Sequence, residues 1–246
     1  MNAIFSKKFH KETDFDFPIG MPPSNPQYWP KEWKEIHHKE YPRLPKVVLP
    51  DVLLPLGAME EIYKKRQTSR EYDVSSYLTQ EELHTLLFYM AGVKDITQAT
   101  TGVRRNYPSG GARYPLEVYL AIQRVEGITP GIYHYNVKYD ILEQLTIDAE
   151  DMEKLKEGLF YPWSRDAAVM FFTTAVWDRN FIKYKNRGYR IILLEAGHMA
   201  QNLTLTSAGL GIKCCNSVGF HNRRIGEVLD IEPETEDSLY LALISK

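Results

Sequence analysis

A chain of 246 residues, 43% hydrophobic and 25% charged, has a globular composition. It is long enough to bury about 70–75% of its unfolded surface, which excludes disorder and any need for a metal or disulfide staple. Thirty basic residues against thirty-two acidic ones give a net charge of −2, so the basic excess of a nucleic-acid binder is missing.

Eight of the fourteen prolines precede residue 51, interleaved with Tyr28, Trp29, Trp33 and Tyr41. Proline at this density blocks regular helix and sheet, so residues 1–57 are expected to form an extended arm with one short helix near Lys31–Lys39. The aromatic residues imply that the arm packs on something. His37-His38 has no partner ligands at useful spacing and reads as surface, and no metal site is expected. The start of the chain has no apolar stretch after its charges, and no run approaches the roughly 18 apolar residues of a membrane span.

The rest, residues 58–246, is expected to be one domain. Leu56, Met59, Ile62 and Tyr63 have helical spacing over Leu56–Lys65. Thr79-Gln-Glu-Glu82 is a capping box that opens a helix over Gln80–Ala91, with Gly92 at its end. Residues 93–107 read as a polar loop carrying Arg104 and Arg105. Strands are expected at Leu116–Val125 and Ala168–Val176, and a hairpin at Gly131–Tyr135 and Ile141–Leu145. Arg190–Ala208 reads as a long helix, apolar on more than one side and therefore buried on more than one side. Gly209-Leu-Gly211 ends it, and strands at Ile212–Val218 and Leu239–Ile244 flank a short helix at Arg223–Leu229. Helices and strands mix without βαβ alternation, which gives an α+β class.

The only cysteines, Cys214 and Cys215, are adjacent and cannot staple a fold or bind zinc. A vicinal disulfide is one reading; two small apolar residues of a buried strand in a reducing cytoplasm is the simpler one.

Three stretches could carry chemistry. In an extended Arg66-Gln67-Thr68-Ser69-Arg70, alternate residues share a face, so two guanidinium forks flank a hydroxyl as a phosphate would require. A solvated charge cluster would look the same. Pro108-Ser109-Gly110-Gly111 would let backbone amides approach a ligand, and so would a plain turn. Lys183-Tyr184 could supply a base if the lysine is desolvated near cations, although on its own the stretch reads as loop surface. No P-loop or dinucleotide fingerprint is present.

Taken in order, Tyr41-Pro…Pro45…Leu49-Pro50, Arg66-x-Thr68-x-Arg70-x-Tyr72, Pro108-Ser-Gly-Gly-Ala-x-Tyr-Pro115-Leu-Glu-Val-Tyr, Gly131-Ile-Tyr-His-Tyr135, Lys183-Tyr184, Glu195-Ala-Gly-His198-x-Ala-Gln-Asn202-Leu and Val218-Gly-Phe220 resemble the SagB-type azoline dehydrogenases of the nitroreductase superfamily. The resemblance covers about residues 8 to 244. It implies an α+β nitroreductase-like fold, a mixed sheet flanked by helices, in an intertwined homodimer with FMN between subunits. It further implies that Arg66, Gln67, Thr68 and Arg70 hold FMN. Pro108, Ser109 and Gly110 would approach it from the partner chain, and the backbone of Ser217, Val218 and Gly219 would face its reactive edge. Lys183 and Tyr184 would be the catalytic pair. His198, Gln201 and Asn202 belong to a motif of the long helix with a partly structural role. The chain departs from the pattern in Thr68 for the usual Ser, in Ser-Gly-Gly for Ser-Ala-Gly, in Arg113 for an apolar residue and in Cys-Cys-Asn-Ser before Val218.

The activity so implied is oxidation of thiazolines and oxazolines in a precursor peptide, with a cyclodehydratase and the peptide as partners. The competing expectations are an NAD(P)H-dependent nitro or quinone reductase, and a flavin-bearing scaffold subunit of a cyclodehydratase complex.

Overall fold

The computed structural model describes residues 26–35, 38–52, 59–95 and 103–246. The proline-rich residues 1–25, His37 and the start of the helix expected from Leu56 lie outside these residues. Seven helices are described: α1 (Lys31–Lys34), α2 (Met59–Lys65), α3 (Gln80–Ala91), α4 (Ala149–Glu157), α5 (Asp178–Tyr184), α6 (Gly188–Leu210) and α7 (Asn222–Leu229). The strands are β1 (Lys46–Val48), β2 (Val93–Asp95), β3 (Arg104–Arg105), β4 (Leu116–Ile122), β5 (Gly131–Asn136), β6 (Ile141–Thr146), β7 (Val169–Val176), β8 (Lys213–Ser217) and β9 (Glu236–Ser245).

Seven strands form one sheet in the order β1-β6-β5-β4-β7-β9-β8, and β2 pairs with β3 separately. The ladders of the large sheet are antiparallel, and parallel pairing enters through isolated bridges such as Thr68 with Cys214 at the β8 edge. Side chains alternate between faces with a period of two. On β4, Leu116, Val118, Leu120 and Ile122 join the core under α3 and α6, which supply Leu83, Leu87, Met199 and Leu203. Tyr119 and Ala121 point to the other core, under α4 and α7, with Leu155, Ile225 and Leu229. The α+β architecture expected from the motifs, a mixed sheet flanked by helices, is therefore present, with helices on both faces.

Local signals decide several elements. Thr79 Oγ1 accepts from Glu82 N at 3.2 Å while Glu82 Oε2 accepts from Thr79 N at 2.8 Å, closing the box that starts α3. Asn136 Oδ1 accepts from Lys138 N and Tyr139 N, which fixes the β5–β6 turn. Gly211, at φ +72°, caps α6 in the left-handed conformation.

Three expectations need correction, and the simpler reading of the cysteines holds. The stretch 93–107 is not wholly loop, because β2 and β3 pair across it. Lys183 and Tyr184 sit on the last turn of α5, not in a loop. His38 is not plain surface: it is half-buried, and burial with the nearby charge of Arg105 pushes its pKa down to about 4. Cys214 and Cys215 alternate along β8, one in each core, so their sulfurs point apart and cannot bond.

Candidate active site

The residues singled out from the sequence fall into two groups at opposite ends of α6. The first surrounds β8. After α2 the chain runs extended, Thr68 bridges Cys214, and Ser69 N donates to Cys214 O at 3.2 Å. Arg66, Gln67, Thr68 and Arg70 are exposed. The Arg70 guanidinium lies 5.5 Å from the Trp163 ring centroid. Gln67 and Ser69, which alternate with the arginines, line a separate hollow of about 200 Å³ with Lys65, Thr204 and Lys213. Beyond β8, Gly219 N donates to Ser217 Oγ at 2.9 Å, and Val218 is 69% exposed. A Cβ on Gly219 would lie 2.4 Å from the Tyr161 ring, which itself stacks on Trp163. Arg66, Thr68, Arg70 and the 217–219 turn therefore share one aromatic-edged surface. Two guanidiniums and a hydroxyl alternating along one segment suit a phosphate dianion such as that of FMN. Burial drives the Cys214 thiol up to about 11, so it is no nucleophile at neutral pH.

The second group lies around the N-terminal half of α6. Gly110 N donates to Glu195 Oε1 at 2.9 Å, and Tyr114 N donates to Ser109 Oγ at 2.8 Å. The Gly110 amide is thus already taken by a carboxylate instead of being free for a ligand. Gly111 has φ +64°, and a Cβ there would stand 2.5 Å from Tyr184 Oη and 2.8 Å from Lys183 Nζ. Only a bare backbone fits against that pair. Lys183 is buried, has no carboxylate partner among the described residues, and has its pKa lowered to about 8 by burial and the nearby Arg113 charge. Burial, reinforced by Glu195, raises the Tyr184 phenol, which stays protonated.

Glu195 itself was placed in a helix motif by the sequence, with no role. It is 2% exposed, its Oε2 has no hydrogen-bond partner among the described residues, and burial raises its pKa to about 7 against hydrogen bonds from Ser109 and Gly110. A lone carboxylate between Leu194 and Ala196 was the available signal. Arg113 is buried and donates to Arg179 O at 2.7 Å and to Glu35 O at 3.3 Å.

The groups do not meet within one chain. The Gly110 region packs on Ile191 and Glu195, whereas Thr204 packs on Cys214 and Asn216. Thirteen residues of helix at a rise of about 1.5 Å separate Ile191 from Thr204, or about 20 Å. The outward side of the same helix exposes Leu193 and, at 65%, Leu194.

The profile of the nitroreductase family matches residues 63–244, three quarters of the chain. The chain belongs to the nitroreductase family. It is 32% identical over 174 residues to the nitroreductase-type protein MJ1384 of Methanocaldococcus jannaschii, covering 71% of this chain and 85% of that one. It is 29% identical to the trifolitoxin-processing protein TfxB of Rhizobium leguminosarum over 82% of this chain, and 29% identical to the microcin B17-processing protein McbC of Escherichia coli over 54%. The chain spans 57% and 51% of the lengths of these two. They bear out the SagB-type resemblance drawn from the motifs. Among solved structures, a nitroreductase-type protein of Anabaena variabilis superposes with a TM-score of 0.75 at 24% identity, over 98% of this chain and 46% of that one. A chain of the E. coli microcin synthetase McbBCD complex with truncated pro-MccB17 superposes with a TM-score of 0.62 at 21% identity, covering 99% and 92%. A nitroreductase-type protein of Exiguobacterium sibiricum, solved with FMN, gives 0.55 at 13% identity, covering 79% and 90%. Among the described residues no helix is long and apolar enough to cross a membrane.

Proposed function

We propose that this nitroreductase-family chain is an FMN-dependent dehydrogenase that oxidises thiazolines or oxazolines of a precursor peptide to thiazoles or oxazoles. It would work in the cytoplasm as an intertwined homodimer, beside a cyclodehydratase that makes the azoline. In this reading residues 1–57 are the arm and 58–246 the FMN-binding domain. Arg66, Thr68 and Arg70 would hold the phosphate and ribityl chain, with Gln67 between them. The backbone of Ser217, Val218 and Gly219 would face the flavin's reactive edge from the same subunit, and Pro108, Ser109 and Gly110 would approach from the other. The distance of about 20 Å between the two groups along α6, and the exposed Leu193 and Leu194, support assembly of the site from two subunits. The relatives that process microcin B17 and trifolitoxin support a peptide substrate.

The observation that carries the reading is the desolvated amine of Lys183 beside a protonated Tyr184, both set against the backbone of Gly111. With its pKa lowered to about 8, far more of the amine is free base near neutral pH than for an ordinary lysine. Lys183 Nζ takes the proton from the azoline ring carbon, and Tyr184 Oη donates a hydrogen bond that orients the ring. FMN, when bound, supplies the acceptor for the departing hydride.

Incubating the FMN-loaded protein with an azoline peptide in air and weighing the product tests this directly. Loss of two hydrogens per ring is the expected result. Steady NADPH consumption with nitroaromatics and no change in the peptide would replace the proposal with a reductase. Co-purification with a cyclodehydratase without any turnover would replace it with a scaffold.

A further inference from the structure

The arm reaches the site from outside the motifs. Trp29 precedes α1 and Trp33 lies within it; four residues apart, they lie on one side of that turn, with ring centroids 6.1 Å apart and nearly edge to face. Lys183 Nζ sits 3.3 Å from the Trp29 centroid, 5.3 Å from that of Trp33 and 5.4 Å from the Tyr184 ring. The arm is held there by Arg113, whose Nη1 donates to Glu35 O while its Nε donates to Arg179 O on the helix that carries Lys183. We propose that Trp29, Trp33 and Arg113 are positioning residues for Lys183: the indoles wall its amine from water, the guanidinium stands beside it, and the docked arm keeps it a free base. The proposal rests on the reading of Lys183 as the base.

The groups that face Lys183 make the direction of the effect clear. From the arm come two uncharged indoles, and the Glu35 carboxylate is paired with Lys31 at 3.3 Å. From the 108–115 segment comes Arg113, a like charge. Its own helix adds Tyr184, which is protonated, and α6 adds Glu195, whose carboxylate accepts from the Gly110 amide. An indole face attracts an ammonium, so the cage alone would not deprotonate it. In this proposal, loss of water without a carboxylate in exchange among the described residues, together with the guanidinium, outweighs that attraction. Undocking the arm would rehydrate the amine and return it to an ordinary ammonium.

The test uses the full-length FMN-loaded protein with 13C-labelled lysine, in which Lys183 is assigned by its loss in Lys183→Arg. Its titration midpoint is expected near pH 8. In Trp29→Ala/Trp33→Ala it should rise by more than one unit, whereas Trp29→Phe/Trp33→Phe, which keeps two ring faces, should stay within about half a unit. Arg113→Gln removes the like charge and should also raise it, giving a second reading if the double alanine variant fails to fold. A midpoint above 10 in the parent protein, or one that neither the alanine pair nor Arg113→Gln moves, would overturn the proposal. The pH dependence of azoline oxidation is measured alongside. The acid limb should follow the titration, with at least a tenfold loss at pH 7.5 in the alanine pair that recovers at pH 10. A titration that moves while the rate limb stays would uphold the arm's effect on Lys183 and remove Lys183 as the base.

Discussion

Two buried groups of ionisable side chains in this protein lie on opposite faces of one sheet, and their chemistry runs in opposite directions. Under arm residues 39–46, His134 is wholly buried between Glu117 Oε2 at 3.1 Å and Glu143 Oε2 at 3.0 Å. Two carboxylates can both be served only by an imidazolium, and the His134 pKa is accordingly raised despite its burial. Glu143 also accepts from Lys46 at 2.6 Å, Tyr41 N at 2.8 Å and Asn136 at 3.0 Å, while Glu117 is paired with Arg179. Nearby, Lys39 pairs with Glu236 at 2.7 Å. Around α6 the burial is as deep, but Glu195 has an orphaned oxygen and Lys183 no counter-ion among the described residues. Burial by itself disfavours charge in both places; the number of partners decides whether the charge survives. The paired cluster fastens the arm, and the underpaired one retains groups able to exchange protons near neutral pH.

The comparison breaks most visibly at Lys183. Lys183→Met should lower azoline oxidation by about 10²- to 10⁴-fold in the mass assay, with FMN content and unfolding midpoint preserved. Replacing a member of the paired cluster should do the reverse. Glu143→Leu leaves His134 Nδ1 and Asn136 Nδ2 without their acceptor, and urea unfolding should show a loss of about 3–5 kcal/mol.

The two carboxylates should also give opposite pH dependences. Glu143 is held down to about 2, where hydrogen bonds from His134, Lys46, Tyr41 and Asn136 outweigh a burial that alone would raise it. It therefore stabilises the fold above its unfolded value of 4.5, by about 3 kcal/mol, and that stability is lost as pH falls toward 2. Glu195, raised by burial to about 7, binds more protons folded than unfolded between 4.5 and 7, so stability falls as pH rises through that window. Glu195→Gln should match the parent at pH 4 and exceed it by about 3 kcal/mol at pH 8, measured by denaturant unfolding across pH. A gain at pH 8 no larger than at pH 4 would place the Glu195 carboxyl in an ordinary environment.

The smallest effect is expected at the backbone between the two candidate catalytic side chains. Gly111→Ala forces a side chain into the left-handed region at a cost of about 1–2 kcal/mol. It also crowds Tyr184 Oη and Lys183 Nζ. Its unfolding curve should shift modestly while kcat drops by more than that shift explains.

Much of the scaffold was legible in the residues. The capping box at Thr79, the apolar β-rich runs of β4 and β7, the β5–β6 turn and the Gly211 cap are local signals read within a few residues of where they act. Helix α4 was not legible, because only Met152 and Leu155 of its nine residues are buried and its remaining charges carry no apolar period. The strand pair β2 and β3 is too short for a periodic signal. The ends of α6, two residues beyond the expected bounds on each side, depend on the Gly188 and Gly211 backbones instead of on apolar spacing.

By itself the sequence determined the α+β class and the motif order that places the chain in its family. It also picked out the short segments from which a phosphate cradle and an amine–phenol pair can be built. These follow from residue type and near-neighbour spacing, which are properties of the chain before it folds. Only the tertiary structure decided that the segments divide into two groups along α6, that Glu195 lies under the Gly110 amide, and that Trp29 and Trp33 close over Lys183. Burial and the presence or absence of a partner are set by residues far away in the chain, 154 positions for Trp29 and Lys183 and 197 for Lys39 and Glu236. No local pattern encodes what a side chain will meet once the chain has returned on itself.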